Sequence, residues 1–419
     1  MNLKHDLSKL AARAQEASRA MHGLSSQAKN LALVAMAEAL ISGKSVILKA
    51  NRKDVLKAKA GRQTKAFIDR LELDDKRIAG MSESLLEISS LTDPVGEVIK
   101  AWRVPNGLWI HKVRVPIGVI AIIYESRPNV TSDCIGLCFK SGNSVILRGG
   151  SEALNSNLAI YAALKKAADC LRLPEGAINV VDTVDRRAVD ILLKLDKYID
   201  LVIPRGGESL IRRVVASSHI PVIKHYKGIC HVYVDEDADL NKAESICFNA
   251  KVQRPGVCNA METMLVHQDI AARFLPGMIK KFKEAGVKIR GCAVTFKIAK
   301  SGVQLATDKD YHTEYLDLVL SVKVVQSLDS AIEHINHYGT RHSDSIVTED
   351  YNNALKFLRQ VDSACVYANA STRFTDGNQF GMGAEIGIST DKLHARGPMA
   401  LEELTTYKYM IFGDGQIRT

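Results

Sequence analysis

The stretch IGVIAIIYESRPNVTSDCIGLCFKSGNSVILRGG, residues 117–150, decides the fold class. An apolar run typical of a buried strand, IGVIAIIY, precedes a helix-like segment, SDCIGLCFKSG, and a second strand-like run, NSVILR. The alternation continues to residue 226, with strands predicted at AINVV, IDLVIP and IPVIKHY. Because strands that alternate with helices form parallel sheets, the sequence predicts a doubly wound α/β fold with ligand sites at the strands' carboxyl ends.

Further elements flank this sheet on both sides. Residues 1–92 carry apolar side chains at helical spacing, and residues 97–116 form two β-rich runs around a Pro-Asn-Gly turn, typical of a hairpin with an open edge. A second α/β unit begins near ICHVYVD, with further strands predicted at TMLVH, VKIRG and LVLSVKVV and a helix at SAIEHINHY, and the C-terminal LTTYKYMIFGDGQIR returns to β character. The length of 419 residues fits two or three domains.

Composition excludes several classes of protein. With 46% apolar and 25% charged residues, the chain is neither disordered nor collagen-like. The charged N-terminus is not a signal peptide, and no apolar run is long enough to span a bilayer, so we expect no membrane partner. Eight cysteines without a CxxC pair or a disulfide framework indicate the cytoplasm, and no metal-ligand cluster is visible.

The net charge of +9 has two interpretations, a solvated basic surface or attraction of anions. The chain has no basic tail, zinc-finger spacing or aromatic-basic motif, so we expect no nucleic-acid partner. A phosphorylated substrate and a phosphate-rich cofactor remain compatible with the charge.

The segment AKVQRPGVCNAMET, residues 250–263, contains the candidate nucleophile Cys258. The turn Pro255-Gly256 exposes it, and Lys251 and Arg254 make the segment electropositive, which favours the reactive thiolate. The alternative for an isolated cysteine is a small buried apolar residue.

Glycine turns mark candidate cofactor sites, although the dinucleotide motif GxGxxG is absent. One turn ends the strand of SGNSVILRGGSEA, where a basic residue suits a 2′-phosphate, and another opens the helix of IPRGGESL, where backbone N–H groups favour an anion. Such turns also occur as plain connectors. The candidate cofactor-binding residues are Lys140, Gly142, Arg148, Gly149, Gly150, Arg205, Gly206, Gly207 and Glu314.

Polar segments in the second half of the chain supply candidate substrate ligands. The segment AIEHINHYGTRHSDSIVTED, residues 331–350, is typical of a substrate-binding loop, and Arg396 on a Gly-Pro turn is a candidate carboxylate clamp or a solvated surface arginine. The candidate substrate-binding residues are Arg127, Lys251, Asn336, His342, Ser343 and Arg396.

Several strings in this order resemble one family over essentially the whole chain. ESRPNV at 125–130, SGNSVILRGG at 141–150, QRPGVCNAMET at 253–263 and AIEHINHYGTRHSDSI at 331–346 are similar to the gamma-glutamyl phosphate reductases (glutamate-5-semialdehyde dehydrogenases) of the aldehyde dehydrogenase superfamily. FGMGAEIGIST and DKLHARGPMALEELTTYKY extend the resemblance. It implies a Rossmann-like cofactor domain (1–96 and 119–228), an α/β catalytic domain (229–400) and an oligomerisation β-flap (97–118 and 401–419).

The resemblance also implies a chemistry. NADPH would reduce L-glutamyl 5-phosphate to L-glutamate 5-semialdehyde and phosphate, through a thioester on Cys258, in L-proline biosynthesis. Arg254 would assist catalysis and Glu314 would match the ribose-binding glutamate. Where hydrolytic relatives carry a water-activating glutamate, this chain has His225 in HYKG, and Asn129, or Ser126, would be the oxyanion donor.

The implied partners are a homo-oligomer and a separate glutamate 5-kinase that supplies the labile substrate. Four other functions stay open at this point: a hydrolytic aldehyde dehydrogenase, an enzyme that acylates coenzyme A, a basic nucleic-acid-binding module and a non-catalytic structural protein. The first would need no phosphate, the second would require coenzyme A, the third would show salt-dependent retention on DNA and the fourth an inert cysteine.

Overall fold

The alternating strands and helices fold into two parallel sheets, one in each of two compact units. The structure is a computed structural model that describes residues 2–418, except for the side chain of Ala66. One unit runs through Lys224 and takes in Gly381–Gly387 and the chain from Met399 onward. The other comprises His225–Phe380 and Ile388–Pro398, so the division lies slightly before the predicted boundary at 228/229.

The bounds of the elements are as follows in chain order. The helices are α1 Leu3–Met21, α2 Ser26–Ser42, α3 Lys44–Ala60, α4 Lys65–Leu71, α5 Asp75–Ser90, α6 Asn129–Lys140, α7 Leu154–Cys170, α8 Arg187–Leu192, α9 Glu208–Ser217, α10 Leu240–Val252, α11 Gln268–Glu284, α12 Ala293–Ala299, α13 Asp308–Tyr311, α14 Leu328–Tyr338 and α15 Tyr351–Gln360. The strands are β1 Val98–Arg103, β2 Trp109–Pro116, β3 Val119–Tyr124, β4 Ser144–Gly149, β5 Ile178–Val180, β6 Leu201–Arg205, β7 Cys230–Val234, β8 Met261–His267, β9 Lys288–Gly291, β10 Val303–Leu305, β11 Val319–Val325, β12 Ser343–Val347, β13 Cys365–Ala368, β14 Gly387–Ser389, β15 Gly397–Met399 and β16 Thr405–Phe412. Two 3-10 helices span Thr372–Phe374 and Glu402–Leu404.

The predicted helical region at the N-terminus is confirmed as α1 to α5. The side chains of Ser25, Thr64 and Asp74 accept backbone N–H groups at the starts of α2, α4 and α5. These caps satisfy donors that the first helical turn leaves unpaired, and thereby fix where each helix begins.

The sheet of the first unit has the order β5-β4-β3-β6, with every pair parallel. Tyr124 at the end of β3 pairs with Gly149 on one side and with Arg205 on the other, so three strand ends meet at one edge. The chain leaves β3 toward β4 on one side, whereas β6 lies on the other, and ligands of doubly wound folds bind at such a reversal of strand order.

One predicted strand of this unit is wrong. IPVIKHY, residues 220–226, contributes only an isolated bridge between Val222 and Val202. Pro221 has no N–H to donate, and Val202 accepts from Ile223 at 3.1 Å while donating to the Pro221 carbonyl at 2.9 Å, after which the pairing stops.

The predicted hairpin is confirmed, and it gains a third strand from the C-terminus. The antiparallel sheet has the order β1-β2-β16, and we call it the flap. Arg114 on β2 holds it together by ion pairs with Glu97, at 2.7 Å, and with Glu402, at 2.6 Å. The outward residues of β16 include Tyr409, Ile411 and Phe412, which are exposed.

The second unit has a seven-stranded parallel sheet of order β10-β9-β11-β8-β7-β12-β13. The sequence predicts β7, β8, β9 and β11 but not β10, β12 or β13. The helix predicted at SAIEHINHY is confirmed as α14, whereas the rest of the segment up to residue 350, predicted as a loop, contains the fully buried β12. Ser343, Asp344 and Ser345 read as loop residues, yet each finds a polar partner inside the unit.

Among residues 2–418 no single helix is long and apolar enough to cross a membrane. Only α2 and α3, bent by 65° at their junction, reach that length and composition when counted as a pair.

Asn143 joins three parts of the first unit, so its substitution should measurably lower the stability of this unit. Its buried amide donates to the Leu404 carbonyl at 2.8 Å and accepts from Gly118 N–H at 2.9 Å. We expect Asn143→Ala to lower the free energy of unfolding by about 2–4 kcal/mol, because both backbone groups lose their partner. Both tryptophans of the chain lie in the flap, so their fluorescence during urea unfolding reports on this unit.

The matched control is Gln27→Ala on the exposed surface of α2 in the same unit, which should change the same quantity by less than about 0.5 kcal/mol. Equal losses in the two variants would contradict the role assigned to Asn143.

Candidate active site

The candidate nucleophile lies on the connection between α10 and β8. We call Gln253–Asn259 the nucleophile loop. Cys258 is half-buried and Arg254 is exposed, so the thiol lies on an accessible segment that also carries a positive charge. Electropositive, partly exposed surroundings are those in which cysteines react.

Gly228 fixes the backbone of the nucleophile loop. A Cβ atom at Gly228 would lie 1.8 Å from the carbonyl oxygen of Cys258 and 2.7 Å from its Cα. Such distances exclude every residue except glycine, because backbone atoms on both sides cannot move independently. In the sequence HYKG, therefore, both His225 and Gly228 bear on the site, because the glycine is required by the close approach to Cys258.

Glu314 is tied to the same contact. Its carboxylate accepts the N–H of Gly228 at 2.8 Å, which holds the glycine against Cys258. The structure therefore places Glu314 beside the nucleophile loop of the second unit. The ribose-binding role predicted for it stays a prediction.

A buried chain of polar groups runs beneath the loop. The Cys230 thiol donates to the Cys258 carbonyl at 3.2 Å and lies 3.7 Å from Nδ1 of His342. His342 contacts Ser343 Oγ at 2.9 Å, and Ser343 contacts Thr375 Oγ1 at 2.6 Å. Burial raises the pKa of Cys230 well above its ordinary value, so it remains a neutral donor.

This chain corrects the roles predicted for His342 and Ser343. Both side chains are completely buried and belong to the support of the loop. They act on Cys258 through its backbone and do not form a substrate surface.

Lys251 requires a similar correction. Its ammonium is fully buried and forms an ion pair with Glu262 at 2.7 Å. Burial lowers the pKa of Lys251 and raises the pKa of Glu262 to about 7, and the attraction between them opposes both shifts. Since the partner is internal, Lys251 anchors α10 to β8 and is not placed to hold a substrate.

Two more predicted substrate ligands are occupied by the protein itself. The Asn336 amide donates to the Gln360 carbonyl at 3.0 Å and accepts from Asp362 N–H at 3.0 Å. Arg396 pairs with the Asp362 carboxylate at 2.8 Å, and Lys392 pairs with the same group at 2.7 Å. Asn336 thus caps the end of α15 and Arg396 belongs to a surface ion-pair cluster, and the substrate roles predicted for both stay predictions.

Most of the candidate cofactor ligands of the first unit lie at the carboxyl edge of its sheet. Arg148 is buried at the end of β4, and its Nε has no hydrogen-bond partner among the residues described. Burial lowers the pKa of Arg148, and the positive charges of Arg186 and Arg213 lower it further, against the opposing effect of Glu152. A buried guanidinium with a spare donor, close to two others, fits a phosphate-bearing cofactor.

The glycines of this edge do not form an open cradle. A Cβ at Gly149 would meet the side chain of Asn157, and one at Gly150 would meet the carboxylate of Glu152. Gly206 faces the Glu125 carboxylate, which also accepts the Gly207 N–H at 2.9 Å. The anion at the start of α9 is therefore a side chain of the protein, which sequence analysis missed.

Arg205 lies against a second segment of the same unit. A Cβ atom at Gly387 would lie only 2.3 Å from Nη1 of Arg205, so the guanidinium packs directly against this glycine. Arg205 is thereby held at the edge of the sheet beside the end of β3.

Lys140 and Gly142 lie at the opposite edge of this sheet, and their predicted cofactor roles are wrong. Lys140 ends α6, where its ammonium is buried and donates to Asn30 and, at 2.9 Å, to the Ser89 carbonyl. Gly142 precedes β4 with φ +77° and packs against Pro116. The turn that enters a parallel strand cannot contribute to the edge at which that strand ends.

The predicted oxyanion donor Asn129 is the exposed first residue of α6. Its amide nitrogen donates to Asp133 at 3.1 Å. Burial raises the pKa of Asp133 to about 6, against the hydrogen bonds from Asn129 and Ser84. Ser126, the alternative donor, instead binds the Glu152 carboxylate at 2.8 Å through both its N–H and its hydroxyl. Arg127 is exposed in the turn that precedes α6.

Comparison with known proteins assigns this arrangement to a family. Residues 3–291 and 308–410 match the sequence model of the aldehyde dehydrogenase family. A gamma-glutamyl phosphate reductase of Caldanaerobacter subterraneus subsp. tengcongensis is 59% identical over 97% of this chain and 98% of its own. One from Thermodesulfovibrio yellowstonii is 57% identical over 100% of both chains. The crystal structure of the Thermotoga maritima enzyme of that name superposes with a TM-score of 0.97, at 49% identity, over 99% of this chain and 100% of that one.

The fold is therefore that of an aldehyde dehydrogenase, as predicted. The chain belongs to the aldehyde dehydrogenase family and, within it, to the gamma-glutamyl phosphate reductases. It is an enzyme of a family that uses nicotinamide cofactors.

The contact between Gly228 and Cys258 predicts a kinetic effect. We expect Gly228→Ala to lower turnover about 100-fold, because the added methyl group displaces the nucleophile by an ångström or more. The control, Gly277→Ala in α11, adds its methyl group where nothing lies within 4 Å and should leave turnover unchanged. Full activity of Gly228→Ala would show that the close approach does not position Cys258.

Proposed function

We propose that this protein reduces L-glutamyl 5-phosphate to L-glutamate 5-semialdehyde with NADPH and releases phosphate, as a step of L-proline biosynthesis. The observation that carries this proposal is a half-exposed cysteine on a rigidly held electropositive loop, in a chain similar over its full length to enzymes named for this reaction.

The chemistry on Cys258 balances without a metal. The thiolate attacks the acyl carbon, a C–S bond forms, and phosphate leaves with the electron pair of the C–O bond and takes up the proton that the reaction consumes. The bound cofactor supplies the hydride that reduces the thioester. The thiohemiacetal on Cys258 then collapses, which breaks the C–S bond, releases the aldehyde and restores the thiolate.

The surroundings of the thiol favour reduction over hydrolysis. A thioester survives only where no base activates water. Two carboxylates of this region are engaged within the protein, Glu314 with the N–H of Gly228 and Glu262 with Lys251. His225 stands where hydrolytic relatives carry their glutamate, and its ring contacts that of His342. These contacts support an enzyme whose thioester is reduced in the forward direction and attacked by phosphate in the reverse direction, and is not hydrolysed by water.

NADPH, in preference to NADH, is supported by the arginines at the end of β4. Arg148, with Arg186 and Arg213 close by, offers positive charge where an acidic residue would select the unphosphorylated ribose. Arg148, Gly149, Gly150, Arg205, Gly206 and Gly207 would hold the cofactor, the N–H of Cys258 would donate to the oxyanion, and Asn129 stays the predicted second donor.

The proposal predicts an absolute need for phosphate in the reverse direction. Purified enzyme with glutamate semialdehyde and NADP⁺ should form NADPH beyond one equivalent per active site only when inorganic phosphate is present, and Cys258→Ala should abolish the reaction. Cys170→Ala, at an exposed cysteine of the first unit, is the control and should retain full activity.

Two outcomes would replace the proposal with another function. Continued NADPH formation beyond the first turnover without phosphate would indicate that water resolves the thioester, and a requirement for coenzyme A in place of phosphate would indicate an acylating dehydrogenase.

We also propose that the flap mediates a homo-oligomer. Its edge strand β16 exposes a row of large apolar side chains, an unusual surface for a strand that stays unpaired. Ile411→Asp should reduce the molecular mass measured by light scattering, because a charge on this edge opposes pairing. Leu56→Asp, on α3 and 67% exposed against 59% for Ile411, should not. Identical masses for both variants and the wild type would exclude the edge as the interface.

The remaining proposals concern the surroundings of the enzyme. All eight cysteines are free, as expected in the reducing cytoplasm. An acyl phosphate is too labile to accumulate, so a separate glutamate 5-kinase would supply the substrate.

A further inference from the structure

A second arginine, absent from the sequence-based predictions, spans the nucleophile loop. Arg373 lies in the 3-10 helix Thr372–Phe374 and is half-buried. Its Nε donates to Gln253 Oε1 at 2.9 Å, and its Nη1 donates to Asn259 Oδ1. Gln253 and Asn259 are the first and last residues of the loop, so one guanidinium bridges the segment that carries Arg254 and Cys258.

The backbone of this 3-10 helix is joined to the loop as well. The hydroxyl of Thr372 donates to the Asn259 carbonyl at 2.7 Å, and the Asn259 amide donates to the Thr375 carbonyl at 2.8 Å. The Asn259 amide also donates to the Arg373 carbonyl at 3.4 Å, so four hydrogen bonds join the neighbour of the nucleophile to residues 372–375. Arg373 has a fixed position relative to Cys258, which a surface arginine on a flexible stem would not have.

The electrostatic surroundings of Arg373 favour an anion. Burial lowers its pKa, the positive charge of Arg254 lowers it further, and the thiolate form of Cys258 and the carboxylate of Asp376 oppose this. Two guanidinium groups thus repel each other beside the reactive sulfur. A dianion between them would remove that repulsion, and Nη2 of Arg373, which takes part in neither loop contact, carries two further N–H donors.

We propose that Arg373, together with Arg254, binds the phosphate group of the acyl phosphate beside Cys258. This inference rests on the proposed function and deepens it. The role that the sequence suggested for Lys251 passes to Arg373, because Lys251 is buried against Glu262. In the forward reaction the pair stabilises the charge that develops on the departing phosphate. In the reverse reaction it holds inorganic phosphate for attack on the thioester carbon, with the Cys258 thiolate as the leaving group.

The test is the phosphate dependence of NADPH formation from glutamate semialdehyde and NADP⁺. We expect Arg373→Gln to raise the KM for inorganic phosphate by about 30-fold or more, while the KM for NADP⁺ stays within about twofold. Arg373→Lys keeps the charge but not the forked donors, and should give an intermediate KM. Arg359→Gln removes an exposed charge from α15 and should match the wild type.

Binding can be measured without turnover as well. Inorganic phosphate should protect Cys258 of the wild type and of Arg359→Gln from alkylation by iodoacetamide. In Arg373→Gln this protection should require about 30-fold more phosphate or disappear. The alkylation rate without phosphate, together with the melting temperature, shows whether the loop of each variant is intact, and Arg373→Lys serves as the test variant if the loop of Arg373→Gln is not.

These measurements distinguish a failure of the proposed function from a failure of the inference about Arg373. If the wild type continues to form NADPH beyond the first turnover without phosphate, the proposed function fails. If the wild type requires phosphate but Arg373→Gln and Arg373→Lys both keep its KM and its protection, the function stands and the inference about Arg373 is overturned.

Discussion

The close approach of Gly228 to the backbone of Cys258 is the constraint on which the active site depends. No side chain fits between the two segments, so the residue that leads into β7 fixes the position of the nucleophile loop. The bond from Gly228 N–H to Glu314 and the bond from the Cys230 thiol to the Cys258 carbonyl hold this contact from two sides. The reactive sulfur is therefore positioned by backbone geometry, and its side chain stays accessible.

The same arrangement explains why the site suits an acyl phosphate. Carboxylates that could activate water are engaged in holding the loop or in the buried ion pair of Lys251, whereas the guanidinium groups of Arg254 and Arg373 remain beside the thiol. A thioester in such surroundings lies beside two guanidinium groups that bind anions. The contacts that hold the loop therefore also leave positive charge beside the thiol, which favours phosphate as the leaving group.

Local sequence predicted the elements whose pattern is apolar and uninterrupted. The buried strands β3, β4 and β11 and the helix α14 follow from residue type and spacing alone. β12 was missed because its polar residues resemble a loop until their partners, such as His231 for Asp344, are brought close by folding.

The errors at the site have the same origin. Arg396 and Lys251 look available in the sequence, and only the fold shows that Asp362 and Glu262 occupy them. Arg373 has no motif, because its role depends on contacts with residues more than a hundred positions away. Cys258 was found because its turn and its charged neighbours are local, and because its segment resembles a known family.

The most direct test of the account is the fate of Cys258 when phosphate is withheld. Enzyme mixed with glutamate semialdehyde and NADP⁺, quenched in acid within milliseconds and digested, should yield the peptide of Cys258 carrying a glutamyl group, in proportion to the NADPH formed in the first turnover. Addition of phosphate before the quench should remove that group. An unmodified Cys258 peptide together with stoichiometric free glutamate would contradict the account, because it would mean that water reaches the acyl carbon.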